Sequence, residues 1–245
     1  AGGAYLADGA DHRVLYFSSP AGGAAAARVL GQTSFSANGI NLTDGRGLVS
    51  PFGMALDRRT VPARLYAVDP GNNRVLGWRN ADDFQNGQAA EIVLGQTDLS
   101  SRLSPDAGFN IPIDVAVDGA GSVYVSYIGS KNVAVYQPAF ESSVRTPSRV
   151  ITLPGGAPNV DVPNGIAVDG AGNLFVSTPA GNRVLQFGPG ANGAVQPVRV
   201  FGQPDLNTFG ANTGGAGARS LSFPLAVAAD SAGSLYVADT RNNRV

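Results

Sequence analysis

Three features of the 245-residue sequence predict an all-β protein made of repeated four-stranded sheets. A short phrase returns five times: Tyr5-Leu6-Ala7-Asp8 to His12-Arg13-Val14, Tyr66-Ala67-Val68-Asp69 to Asn73-Arg74-Val75, Tyr124-Val125 to Asn132-Val133, Phe175-Val176 to Asn182-Arg183-Val184, and Tyr236-Val237-Ala238-Asp239 to Asn243-Arg244-Val245. A second phrase precedes it in each full unit, beginning at Pro51, Pro112, Pro163 and Pro224, with spacings of 61, 51 and 61 residues. Both phrases alternate apolar and polar residues between Pro, Gly and Asp, which is the pattern of short strands. A unit of this size cannot bury its apolar face alone, so the repeat itself determines the architecture.

The elements follow in order within each unit. The first strand runs from the proline to an aspartate (Asp57, Asp118, Asp169 or Asp230), and after Asp169 the turn Gly170-Ala171-Gly172-Asn173 leads into the second. Glycines there supply the backbone freedom of a tight hairpin, and the aspartates are expected to bond the hairpin backbone rather than a metal. The third strand is Arg13 to Phe17, Arg74 to Trp78, Asn132 to Tyr136 and Arg183 to Phe187. The fourth is Arg28-Val29-Leu30-Gly31-Gln32, Ile92-Val93-Leu94-Gly95-Gln96 and Arg199-Val200-Phe201-Gly202-Gln203, with Arg149-Val150-Ile151 as a divergent copy. Four antiparallel strands repeated radially make a β-propeller. Ala55, Ala116, Ala167 and Ala228 share a first-strand column, expected where blades converge on an axis. Phe17, Trp78, Tyr136 and Phe187 share an outer column, expected as an aromatic packing layer.

The run Pro163-Asn164-Gly165-Ile166-Ala167-Val168-Asp169-Gly170-Ala171-Gly172-Asn173-Leu174-Phe175-Val176, followed by Asn182-Arg183-Val184-Leu185, resembles the NHL-repeat family of β-propellers. Gly202-Gln203-Pro204-Asp205-Leu206 and Gly95-Gln96-Thr97-Asp98-Leu99 are similar to its long-bladed bacterial members. The resemblance covers nearly the whole chain. It implies one region with an incomplete blade over 1–50, blades over 51–111, 112–162 and 163–223, and an incomplete blade over 224–245. About four periods are present, as a propeller or as part of a larger propeller or array. Family members include lyases, RNA binders, receptor sensor domains and scaffolds, so the resemblance specifies fold more closely than function.

Composition narrows the classes. The net charge of −1 offers no footprint for a nucleic-acid backbone, and one lysine stands among sixteen arginines. There are no cysteines, so no disulfide or thiolate site forms. No run approaches the ~18 apolar residues of a membrane span. The low charge, absent thiols and abundant small residues are those of a bacterial protein exported to the periplasm or outside the cell. Tyr5 and Tyr236 occupy the same phase, 231 residues apart. The first unit lacks its first strand, so strand 4–8 is expected to pair with a strand outside its local blade: from a longer chain, from 224–230, or from another copy.

Few residues are left for chemistry. Asp8 with Arg13, Asp69 with Arg74, and Asp239 with Arg244 stand five apart across a loop and are expected as structural clasps. Where Asp becomes Tyr127, Arg becomes Asn132; Thr178 with Arg183 breaks the pattern. His12 is the only histidine, in a column of asparagines, and one histidine cannot assemble the metal sites on which family lyases rely. Asp82-Asp83-Phe84-Gln85-Asn86-Gly87 lacks the ligand pattern of a calcium loop. No catalytic residue, metal or cofactor is therefore expected. The candidate binding face is the loop set carrying Asn72, Asn73, Lys131, Asn182, Asn242 and Asn243, with Phe35, Phe109 and Phe209 from the long connections. The expected function is a non-enzymatic scaffold or binding module for a protein, a glycan or other copies of itself, with no nucleic acid and no membrane insertion. The alternatives are a subunit of a head-to-tail filament or surface polymer, and a lyase or hydrolase propeller whose active residues lie outside this segment.

Overall fold

Each Asp-to-Arg phrase folds as a hairpin in which the sixth residue faces the first. Asp8 is opposite Arg13, Asp69 opposite Arg74, Thr178 opposite Arg183, and Asp239 opposite Arg244. Three of these loops contain a single 3-10 turn, over Pro70–Asn72, Pro179–Gly181 and Thr240–Asn242. Each turn is closed by an asparagine in the left-handed region: Asn73, Asn182 and Asn243 have φ of 52°, 51° and 52°. His12, in the same column, has φ of 54°. Asn and His are among the side chains that enter this region most readily, which explains the column.

The computed structural model describes residues 3–103, 110–142, 145–155 and 160–245. They fall into two units, residues 1–112 with 139–146, and residues 113–138 with 147–245. In the first unit β1 (Ala4–Asp8), β2 (Arg13–Phe17) and β3 (Arg28–Leu30) form a three-stranded antiparallel sheet. The next four, β4 (Met54–Asp57), β5 (Arg64–Asp69), β6 (Arg74–Trp78) and β7 (Ile92–Leu94), form a four-stranded meander. In the second unit the third sheet holds β8 (Pro112–Val117), β9 (Val123–Tyr127), β10 (Asn132–Tyr136) and β11 (Arg149–Thr152). The fourth holds β12 (Ile166–Val168), β13 (Leu174–Thr178) and β14 (Arg183–Phe187). Then β15 (Gly193–Ala194) leaves to pair in parallel with β11, and β16 (Arg199–Phe201) completes the fourth sheet. The hairpin of β17 (Pro224–Ala229) and β18 (Leu235–Asp239) follows. Strand β1 is hydrogen-bonded to β2 and, among the described residues, to no other strand.

Packing follows the sequence columns. Trp78, Tyr136 and Phe187 are buried, and Trp78 Nε1 donates to Gln88 O at 3.1 Å. In the first unit Val14, Leu30, Leu65, Leu76 and Phe84 join Trp78 in one core; in the second, Val133, Ile151, Val176 and Leu185 join Phe187. Ala116 and Ala167 are buried, whereas Ala228 is exposed. Inner strands of adjacent sheets meet closely in the second unit: Gly165 N donates to Leu225 O at 3.0 Å, and a Cβ on Gly165 would lie 2.6 Å from that oxygen. Side-chain carboxylates close the first hairpins. Asp118 accepts from Ala120 and Ser122, Asp169 from Ala171 and Asn173, and Asp230 from Ala232 and Ser234. Asp57 differs: beside its bond from Arg59 N it takes ion pairs from Arg59 and Arg64.

Candidate functional site

The Asn and Arg loops form a set of locks. In the second sheet Asp69 Oδ1 accepts from Val49 N at 2.7 Å, and Asp69 Oδ2 accepts from Asn72 Nδ2 at 2.9 Å and Arg74 Nε at 2.6 Å. Arg74 then donates to the carbonyls of Asp44 and Gly47, both at 2.8 Å, and to that of Leu99. The guanidinium thus ties two long connections to its hairpin. Asp239 repeats the arrangement, with Ser222 N at 2.7 Å, Asn242 at 2.7 Å and Arg244 Nε at 2.7 Å. Arg13 bonds Asp8 at 2.9 Å, Asp11 at 2.7 Å and Phe35 O at 2.6 Å.

Burial separates these similar clasps. Both side chains of the Asp69–Arg74 pair are fully buried, while Arg244 is 38% exposed. Burial pushes the Asp69 carboxyl above its ordinary range, against the pull of Arg74 and Asn72. At Asp239 burial also pushes upward, but the bonds from Ser222, Asn242 and Arg244 outweigh it and hold the carboxyl below its ordinary range.

The unit that breaks the sequence pattern keeps the lock by other means. Thr178 offers no carboxylate, so Asp161 supplies it, accepting from Arg183 Nε at 3.2 Å and from Nη2 at 2.6 and 2.8 Å. Asp161 precedes its proline by two residues, as Val49 and Ser222 do, and those are the residues whose amides bond the acid elsewhere. The carboxylate has moved to the opposite side of the same junction. Phe209 covers the Arg183 guanidinium at 4.7 Å, and Arg183 Nη1 donates to Leu206 O at 2.6 Å.

The left-handed column is a second lock. Asn73 Oδ1 accepts from Ile111 N at 3.0 Å and Asn182 Oδ1 from Phe223 N at 2.9 Å. His12 Nδ1 accepts from Ser50 N at 3.1 Å in the same relation. Ser50, Ile111 and Phe223, each just before a proline, have φ of 54°, 57° and 56°. Asn73 Nδ2 also donates to Arg102 O, and Asn182 Nδ2 to Phe209 O. The histidine does an asparagine's work here.

The residues of the expected binding face are placed as follows. The amides of Asn72, Asn73, Asn182 and Asn242 are taken up within the fold, Asn242 by Asp239 and Asn212. Asn243 is exposed, Phe35 is 43% exposed, and Lys131 packs beside Gly155. Phe209 is occupied with Arg183, and Phe109 lies outside the described residues.

One group with chemical potential was not singled out from sequence. Asp114 stands on β8 in the column of Gly53, Gly165 and Ala226. Its Oδ2 accepts from Ile166 N and its Oδ1 from Val115 N, both at 2.9 Å. Burial pushes its carboxyl up to about 6, the two amide bonds offsetting only part of the desolvation. An acid in a column of glycine and alanine was the available signal. A carboxyl poised there can hold or accept a proton near neutral pH. Among the described residues no three His, Cys, Asp or Glu side chains gather as a metal site.

The comparisons agree on the fold. The NHL repeat model matches residues 221–245. No curated protein sequence matches the chain. A streptogramin B lyase structure is 13% identical with a TM-score of 0.51, over 83% of this chain and 51% of that one. A catalytically inactive histidine-to-alanine variant of virginiamycin B lyase from Staphylococcus aureus with quinupristin is 14% identical with a TM-score of 0.56, over 98% and 60%. A functionally unknown protein from Desulfotomaculum acetoxidans is 10% identical with a TM-score of 0.57, over 96% and 59%. The chain therefore spans between half and three fifths of the length of these proteins.

The expectation that the protein is not an enzyme is corrected by this finding, because the fold it shares over most of its length is that of lyases. Sparse chemistry within repeat columns was too narrow a ground for excluding catalysis, since a few residues on such a scaffold suffice. The chain carries an NHL repeat at residues 221–245, and its sheets have the fold of β-propeller proteins.

Proposed function

We propose that this chain is part of a propeller enzyme of the lyase class. The observation that carries the reading is the fold match to streptogramin B and virginiamycin B lyases along 83–98% of the chain. In this reading the Asp–Arg and Asn locks hold the strands and connections of the blades rigid, so that groups on their rims keep fixed positions. Rigid support is what a reacting geometry requires. His12 stays in its loop role, its Nδ1 held by Ser50 N. Further catalytic groups come from outside the described residues. Asp114 is the described side chain best suited to proton transfer, because its carboxyl is buried, oriented by two amides and shifted toward neutral pH.

The test is conversion of quinupristin by the natural polypeptide containing these residues, followed by mass spectrometry. Elimination gives products with no added water, whereas hydrolysis adds one. Conversion without water is expected, with Asp114→Asn lowering kcat at least about tenfold and His12→Asn leaving it unchanged. No conversion, or conversion with added water, would overturn the lyase reading.

A further inference from the structure

The residue before each unit's proline adopts one of two backbones. Ser50, Ile111 and Phe223 are left-handed, with φ of 54°, 57° and 56°, whereas Val162 stays outside that region. Positive φ is uncommon for any residue with a side chain, and a following proline biases the backbone toward extended forms instead. Such outliers persist only where the surroundings hold them. One side chain of the preceding hairpin separates these three junctions from the fourth. Ser50, Ile111 and Phe223 donate their amides to His12 Nδ1, Asn73 Oδ1 and Asn182 Oδ1 at 3.1, 3.0 and 2.9 Å. At Val162 the same column holds Lys131, whose ammonium offers no acceptor. The left-handed junction occurs with the acceptor and not without it.

An asparagine oxygen accepts at every pH, but an imidazole nitrogen does not. Nδ1 of His12 accepts only while its lone pair is free, so the Ser50 bond requires the neutral ring with its proton on Nε2. Protonation places a hydrogen on Nδ1 against the Ser50 N–H. Two donors then meet, and the bond is lost. Ser50 is exposed and His12 partly so, as Asn73 and Asn182 are in their own loops, so water reaches the ring and can take up the released amide.

The charged groups around this contact are few. On the hairpin, Arg13 pairs with Asp8 at 2.9 Å and with Asp11 at 2.7 Å. Beyond β3, the uncharged Gln32 donates to the carbonyls of Asp11 and His12. Residues 33–50 include two charged side chains, Asp44 and Arg46, and Asp44 Oδ1 accepts from Arg46 N and Gly47 N. From the second sheet, Asp69 accepts from Val49 N and pairs with Arg74. Asp69 is the second titratable group that touches the junction, and any test must separate it from His12.

We propose that His12 is a pH-sensitive latch on the Ser50–Pro51 junction. The neutral ring holds Ser50 left-handed; the protonated ring releases it to a backbone outside that region, as at Val162. The latch goes beyond the lyase reading and does not depend on it.

The experiment follows the backbone amides of the isotope-labelled 245-residue protein by NMR, from about pH 8 to about pH 5, the range in which imidazoles titrate. Protection against solvent exchange, corrected for the intrinsic pH dependence of exchange, should fall about tenfold at Ser50, the usual consequence of losing one hydrogen bond. Ile111 and Phe223 should keep theirs, because asparagine does not titrate. The Ser50 amide shift should move together with the His12 ring protons. His12→Asn should leave Ser50 protected across the range. His12→Lys, which copies the column of the third sheet, should leave it unprotected throughout. Unchanged protection of Ser50 on acidification, or a parallel loss at Ile111 and Phe223, would overturn the proposal. An equal loss in His12→Asn would assign the change to Asp69 and overturn it as well.

Discussion

Removing Asp161 strands a buried cation. Arg183 is 1% exposed as a side chain, and Asp161 satisfies two of its nitrogens through three contacts between 2.6 and 3.2 Å. After Asp161→Val, the Arg183 guanidinium keeps, among the described residues, the Leu206 carbonyl, the Phe209 ring and the more distant charge of the exposed Asp205. Breaking one side of a buried pair costs about 3–5 kcal/mol, chiefly because the remaining charge is left uncompensated in a medium of low polarity. Residue 161 corresponds to Val49, and Thr178 corresponds to Asp69. Adding Thr178→Asp to Asp161→Val therefore rebuilds the lock of the second sheet within the fourth. Recovery should be partial, about 2 kcal/mol, because Gly181 stands where Asn72 donates to the acid. Urea unfolding followed by far-UV circular dichroism measures both variants, and amide exchange of β13 and β14 assigns the loss to this hairpin. A loss below about 1 kcal/mol for Asp161→Val, or no recovery on adding Thr178→Asp, would refute the interchange of acid positions.

Two further outcomes follow from the same geometry. The folded carboxyl of Asp114, at about 6, lies above its ordinary 3.8, so the folded state keeps a proton that the unfolded chain releases. Its contribution is fully present below about pH 4 and is lost as pH rises through about 6, a change of roughly 3 kcal/mol. Asp114→Asn should flatten that part of a stability-against-pH curve measured by urea unfolding, and an unchanged slope would contradict the assignment. For His12, replacement by Asn should leave stability within about 0.5 kcal/mol, whereas His12→Ala should cost about 1–2 kcal/mol through the lost Ser50 bond and the positive φ. Thermal unfolding of the pair decides it, and equal losses would contradict the lock.

Much of this protein was written in its repeat. The alternation of apolar residues, the prolines that open each unit and the asparagines that close each loop depend on local backbone preferences, so strands, hairpins and the aromatic layer of Trp78, Tyr136 and Phe187 were legible from the chain alone. The Asp–Arg pairs were legible too, because both partners sit in one hairpin. Their energetic weight was not: identical residues are fully buried at Asp69–Arg74 and half-open at Asp239–Arg244, and burial depends on connections distant in sequence. Asp161 was invisible as the partner of Arg183 because 22 residues separate them and only folding brings them together. The loop asparagines had the composition of a binding face, and in the fold Asn73 and Asn182 give their amides to backbone carbonyls while Asn72 and Asn242 give theirs to the side chains of Asp69, Asp239 and Asn212. Asp114 became a distinctive acid only when the strand of Ile166 closed over it and removed it from water. The sequence by itself determined which segments become strands and loops, since those choices are local. Tertiary structure decided which charges are buried and which polar groups find partners, because desolvation is a property of the packed whole.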